Sequence, residues 1–212
     1  MESIIVFSMQ ELAPETGSGA AASSAGGQKI KAVLGFIIEV IQIVIIAAAI
    51  VIPVRYFLIQ PFNVKGASMQ PNFYDSEYLI IDELSFRLRL PERGEVIVFR
   101  YPQNPREFFI KRVIGLPGET VEVLGGRIVI YNKEHPNGIT LIESYLNGAL
   151  TEGKKKVTLA SDEYWVMGDN RGESLDSRSF GPLNKEFFIG RVWWRGLPLT
   201  RLGGFDLPEY NL

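Results

Sequence analysis

The rhythm of hydrophobic and polar positions changes twice along the chain. Through residue 28 there is no pattern: the stretch from Gly17 to Gly27 holds only small side chains, with nothing large and apolar to bury, so residues 1–28 read as a flexible tail. Residues 33–54, VLGFIIEVIQIVIIAAAIVIPV, are then almost unbroken in their apolarity and about as long as a helix must be to cross a bilayer. Glu39 and Gln42 interrupt the run three residues apart, on one helical face near its N-terminal end, and Pro53 falls at the far end, where a kink is tolerated. We expect an anchor helix over residues 29–56. Lys29 and Lys31 precede the run and a single Arg55 follows it, which favours a cytoplasmic N-terminus. Two other readings fit less well. A buried core helix would be amphipathic, and residues 43–54 are not. A cleaved leader would have a short basic start and a small-x-small site after its apolar core; here a long tail comes first and Arg55-Tyr56-Phe57-Leu58 follows.

From residue 57 the texture becomes that of strands. Tyr78–Ile81, Val96–Phe99, Phe108–Ile110, Val121–Val123, Arg127–Tyr131, Tyr164–Met167 and Gly190–Trp194 are short, rich in β-branched and aromatic residues, and punctuated by Gly, Pro and Asn. Gly125-Gly126 between two of them is a hairpin signal. Residues 57–212 therefore predict one compact, mainly β domain, a sheet folded over or an open barrel. The polar stretch from Tyr145 to Lys156 ends in Lys154-Lys155-Lys156, read as a solvated edge. No internal repeat is visible.

Composition removes several kinds of chemistry. A formal net charge of −2 argues against nucleic acid as a partner, since phosphate binding needs a concentrated basic surface. The absence of cysteine excludes disulfides, thiol nucleophiles and thiolate metal sites. The one histidine, His135, sits in Glu134-His135-Pro136-Asn137-Gly138, which is turn chemistry, so a multi-histidine metal site cannot be built. No metal and no cofactor is expected. Nucleophilic catalysis here needs a lysine or a carboxylate as its base.

Three segments crowd polar groups where packing does not call for them. Gly66-Ala67-Ser68-Met69-Gln70-Pro71 sets a serine between small residues and a turn, where backbone N–H groups can be left free for an oxyanion. In Ile110-Lys111-Arg112-Val113-Ile114-Gly115-Leu116-Pro117-Gly118-Glu119, strand alternation points Lys111 with Phe109 and Val113 and points Arg112 the other way. A lysine buried there loses its proton near neutral pH and becomes a competent base. The third segment, Met167 to Gly181, is dense in charges and hydroxyls. Taken singly, each has a plainer reading: a loop serine, a lysine that snorkels to water, a solvated loop held by Asp–Arg pairs.

Together and in this order, behind a membrane anchor, they resemble type I signal peptidases over roughly residues 57–203. Ser68-Met69-Gln70-Pro71 is similar to the family's Ser-Met-x-Pro nucleophile motif, and Gly94-Glu95-Val96-Ile97-Val98-Phe99 to its next strand. The segment Lys111–Glu119 is similar to the motif that carries the base, and Gly168-Asp169-Asn170-Arg171 with Ser174, Asp176, Ser177 and Arg178 to the last motif. The resemblance implies Ser68 as nucleophile and Lys111 as general base. It implies Ser174 as a hydroxyl that helps hold the lysine, and Asp176 and Arg178 as a pair that shapes the site. The oxyanion would be held by the Ser68 N–H; some members add a hydroxyl two residues earlier, where this chain has Gly66, so backbone near Gly66 would have to serve. Asn72 stands where threonine is usual, and the short stretch from Tyr131 to Tyr164 leaves no room for the family's large extra β-domain.

The activity so implied is cleavage of signal peptides from exported preproteins by a Ser-Lys serine endopeptidase in the plasma membrane, single-pass, with the catalytic domain on the extracytoplasmic side. Preproteins and the lipid bilayer are the implied partners. A membrane-anchored β-domain that binds peptides without cutting them is the alternative from another class. A self-cleaving repressor-type protease shares the dyad but carries a helix-turn-helix, which is not visible here.

Overall fold

The computed structural model describes residues 21–57 and 59–212, and the chain divides after Val51 into a helical unit and a β-rich unit. Helix α1 runs Ala21–Phe57, and Val33–Ile52 within it is long and apolar enough, by length and composition, to cross a bilayer, with its side chains exposed. The tail expected to end at residue 28 gives way to helix from Ala21. Adding a residue to an existing helix costs far less than nucleating one, and Ala21, Ala22 and Ala25 favour it against the cost of Gly26 and Gly27. The rest of the expected tail, residues 1–20, lies outside the described residues.

The β-rich unit contains β1 (Ile59–Asn63), β2 (Tyr78–Asp82), β3 (Val96–Tyr101), β4 (Asn104–Gly115), β5 (Thr120–Leu124), β6 (Arg127–Tyr131), β7 (Ile139–Thr140), β8 (Lys155–Thr158), β9 (Glu163–Met167), β10 (Leu183–Asn184), β11 (Phe188–Leu197) and β12 (Gly203–Gly204). One-turn helices α2 (Ser85–Leu88) and α3 (Ser177–Phe180) lie between strands. What the sequence pattern left open comes out as two sheets. The larger has eight strands in the order β1-β2-β11-β3-β4-β9-β10 with β12 beside β11, and the smaller runs β7-β6-β5-β8.

Burial explains the texture of the strands. Val96 and Val98 on β3 face one core cluster with Met69, Phe73, Leu79 and Ile81, while Ile97 and Phe99 face another with Val113, Tyr164 and Val166. A sheet covered on both faces needs continuous apolar runs, which is what β3 supplies. A third cluster joins the sheets, with Ile114, Trp165 and Met167 of the larger against Val121, Ile128 and Ile130 of the smaller. Each side chain so buried contributes roughly 1.5–3 kcal/mol. The expected hairpin is present: Leu124 pairs with Arg127 around Gly125 and Gly126, whose φ values of 59° and 80° are those a two-residue turn requires. The lysine-rich stretch forms β8, the exposed edge of the smaller sheet.

Candidate active site

Ser68 is fixed by its neighbours. Met69 is buried in the first core cluster, and the turn around it closes through Gln70 N–H to Ala67 O (3.0 Å) and Phe73 N–H to Met69 O (2.9 Å). The backbone is thereby clamped while the Ser68 hydroxyl stays half-buried. From the other side, Asn170 N–H donates to Ser68 O (3.0 Å) and Asn170 Nδ2 to Ala67 O (3.2 Å). Gly168 permits that approach, because a Cβ there would fall 2.4 Å from Ser68 O and 2.2 Å from Ser174 Oγ.

Strand β4 carries Lys111. Lys111 lies between Phe109 and Val113 on one face, is only 4% exposed, and holds its Nζ 5.3 Å from the Phe109 ring centre. Lys111 Nζ donates to Ser68 Oγ at 2.8 Å and to Ile110 O at 2.8 Å. Burial pushes the amine down from 10.5 to about 8, and the carboxylates of Asp176 and Asp169 oppose that shift without cancelling it.

The dyad opens onto a cleft of ≈ 650 Å³ whose walls are the segment Phe62–Ser68 and the strand segment Glu107–Lys111. Both walls carry unpaired strand edges: β1 ends the larger sheet, and β4 joins β9 only from Arg112 onward. Among the described residues no acceptor engages the Ser68 N–H. The Gly66 N–H, by contrast, donates to Asp75 Oδ1 at 2.8 Å, with Gly66 at φ 87°. Of the amides near the nucleophile, that of Gly66 is thus committed to Asp75, while that of Ser68 is not.

The last motif separates its residues. Asp176 is fully buried, accepts from Arg178 Nε and Nη2 (2.9 Å each), and also receives Gly168 N–H (3.1 Å), so this pair holds the loop that clamps Ser68. Ser174 lies in the same loop but its buried Oγ makes no hydrogen bond among the described residues; the expected bond to Lys111 is not formed. Lys111 spends its contacts on Ser68 and on the Ile110 carbonyl instead. His135 keeps to its turn, where Gly138 N–H donates to its carbonyl (3.0 Å).

Behind the dyad stands a network to which sequence reasoning assigned no role. Arg112, on the opposite face of β4, donates to Asp169 through Nε (2.9 Å) and Nη2 (2.6 Å) and to Gly94 O through Nη1 (2.8 Å). Asn72 Nδ2 bridges Asp169 Oδ2 (2.8 Å) and Tyr145 O (3.2 Å). Arg171 holds Glu143 through Nη1 (2.8 Å) and Nη2 (2.5 Å), with its Nε on Gly168 O (3.0 Å). One signal was available: a buried arginine beside Val113 and Ile114 demands a buried carboxylate. Nothing local to Arg112 says that Asp169 is that partner.

The likeness to known proteins covers this whole arrangement. The family profile described as signal peptidase, peptidase S26, matches residues 37–196. The protein named signal peptidase I from Leptolyngbya laminosa is 36% identical over 181 residues, covering 81% of this chain and 85% of its own. Probable signal peptidase I-2 of Synechocystis sp. is 34% identical over 171 residues, 78% of this chain and 76% of its own. A crystal structure of a signal peptidase I from Enterococcus faecalis aligns with 49% of this chain and 97% of its own at 31% identity and a TM-score of 0.42. With a family match that spans both sides of the dyad and relatives that align over most of their length, the chain belongs to the signal peptidase family, peptidase S26.

Proposed function

We propose that this chain is a membrane-anchored serine endopeptidase that removes signal peptides from exported preproteins, with Ser68 as nucleophile and Lys111 as general base. The observation that carries the assignment is the 2.8 Å contact between Lys111 Nζ and Ser68 Oγ, made by a lysine that burial has made easy to deprotonate. A merely peptide-binding domain has no use for such a contact.

An extended substrate segment adds between the edges of residues 62–66 and 107–110. Neutral Lys111 accepts the Ser68 proton as Oγ attacks the carbonyl carbon. The resulting oxyanion faces the Ser68 N–H. As the C–N bond breaks, the Lys111 ammonium gives its proton to the leaving amine. Water then attacks the acyl-enzyme, with Lys111 again taking the proton, and Lys111 returns that proton to Ser68 Oγ as the C–O bond breaks and the carboxyl product leaves.

Helix α1 spans the membrane once in this reading. Lys29 and Lys31 set its N-terminus in the cytoplasm and the β-rich unit outside, where exported chains emerge. Turnover of a preprotein by the detergent-solubilised full chain tests the activity, with Ser68→Ala expected to be inert. External protease added to spheroplasts tests the orientation; residues after Phe57 that stay protected would overturn it.

A further inference from the structure

We infer that the C-terminal segment 207–212 is a strap that sets the position of the nucleophile, with Tyr210 as its positioning residue. This rests on the reading of Ser68 and Lys111 as the dyad. The strap reaches Arg112 through two intermediaries, Gly94 and Tyr145. Pro208 and Tyr210 pack on Gly94, where a Cβ would fall 2.9 Å from Pro208 and 3.0 Å from Tyr210, and the carbonyl of Gly94 accepts from Arg112 Nη1. The Tyr210 ring also meets Tyr145 edge-on, with centres 6.2 Å apart and the two hydroxyls 3.5 Å apart, and Tyr145 lies 4.3 Å from the Arg112 guanidinium carbon.

From Tyr145 two separate routes reach Asp169. One is Arg112 with its two bonds to the carboxylate; the other is Asn72, which donates both to Tyr145 O and to Asp169 Oδ2. The residue after Asp169 binds Ser68 O directly. The strap itself is fastened by Asn211, whose Oδ1 accepts from Ile142 N–H (2.8 Å) and whose Nδ2 donates to Thr140 O (2.9 Å), beside β7. None of these strap residues lines the peptide cleft. The strap therefore acts on the placement of Ser68 and leaves peptide binding alone.

The test compares Tyr210→Ala, Tyr210→Phe and Asn211→Ala in the full chain, in detergent, on a preprotein that wild type cleaves and Ser68→Ala does not. Failure of wild type to cleave would sink the dyad reading before the strap is reached. Tyr210→Ala should lower kcat about tenfold with KM within about twofold, since small misplacement of a reacting group is costly. Tyr210→Phe should stay within about twofold of wild type, because the ring makes the contact. Asn211→Ala should show the Tyr210→Ala pattern more weakly. The pH profile adds a readout that loss of folded protein cannot mimic. Lys111 is faced by Asp169 and Asp176, by Glu107 along β4, and by Glu173 and Lys65 around the cleft. Asp169 holds the amine's pKa up, so its displacement should move the ascending limb to lower pH. Losses in kcat that merely follow the folded fraction, with the limb unmoved, would overturn the proposal. So would a Tyr210→Phe variant as impaired as Tyr210→Ala.

Discussion

The two faces of β4 bury neighbouring cations in opposite ways. Lys111 is enclosed with Phe109 and Val113 and, among the described residues, has no carboxylate within a salt bridge; its contacts there are a hydroxyl and a carbonyl. Arg112 is enclosed as deeply but has Asp169 on two nitrogens and Gly94 O on a third. Desolvation is the largest influence on both, and on Arg112 the Asp169 carboxylate outweighs it, so the guanidinium stays firmly charged. On Lys111 the more distant Asp176 and Asp169 do not, and the amine falls to about 8. The same strand leaves one cation easy to deprotonate and locks the charge on the next, by the placement of one carboxylate.

The strongest way to break the contrast is to make position 111 like position 112. Lys111→Arg keeps the charge but cannot deprotonate, and should lose on the order of 10³-fold or more in kcat/KM while remaining folded. Steady-state cleavage by the purified variant measures this; substantial turnover would show that another group is the base. The converse is to strip Arg112 of its partner. Asp169→Ala leaves an uncompensated buried charge and should cost about 3–5 kcal/mol in a denaturant melt of the β-rich unit. Asp169→Asn, which keeps two hydrogen-bonding atoms, should cost less.

Lys111→Met should do the opposite and stabilise. Below pH 8 the native lysine is charged in both folded and unfolded chains, and its burial costs about 3 kcal/mol for a shift from 10.5 to about 8. Between those values the unfolded chain binds more protons than the folded one, so wild-type stability rises with pH. The advantage of Lys111→Met should accordingly shrink as pH climbs from 8 towards 10.5. Melts at several pH values read the gap, and a constant gap would refute the buried-amine account. Wild-type kcat/KM should climb through the same lower value, with its ascending limb near 8. The smallest effect belongs to Ser174. Its Oγ bonds to nothing, so Ser174→Ala should keep activity within about tenfold of wild type and leave the melt unchanged or slightly raised.

How much of this was legible follows from the range of each interaction. The anchor run, most of the strands and the opposite pointing of Lys111 and Arg112 are local matters of period and hydropathy, and they stand in the structure as the sequence suggests. The pairing of Ser68 with Lys111 came from motif resemblance, since 43 residues separate them and no local rule joins them. Asn72 stands in the sequence only as a departure from threonine, yet its amide spans Asp169 and Tyr145 across separations of 97 and 73 residues. Tyr145 itself lay in a stretch that read only as polar. Strands β1 and β8 escaped notice because Pro61 and the lysine run mask their alternation. Ser174 shows the reverse limit, where resemblance implied a hydrogen bond that the local geometry does not make.

The lysines of β8 have a consequence for the proposal that substrate adds as a strand in the cleft. Any open sheet edge competes for the same extended segments and for other copies of the protein. The smaller sheet has two edges: β7 is shielded by the Asn211 side chain, and β8 carries Lys154-Lys155-Lys156 at and just before its start. Charged, long-stemmed lysines along an edge deter strand addition. The smaller sheet thus discourages pairing at its own edges, which leaves the cleft edges of the larger sheet as the ones open to an added strand.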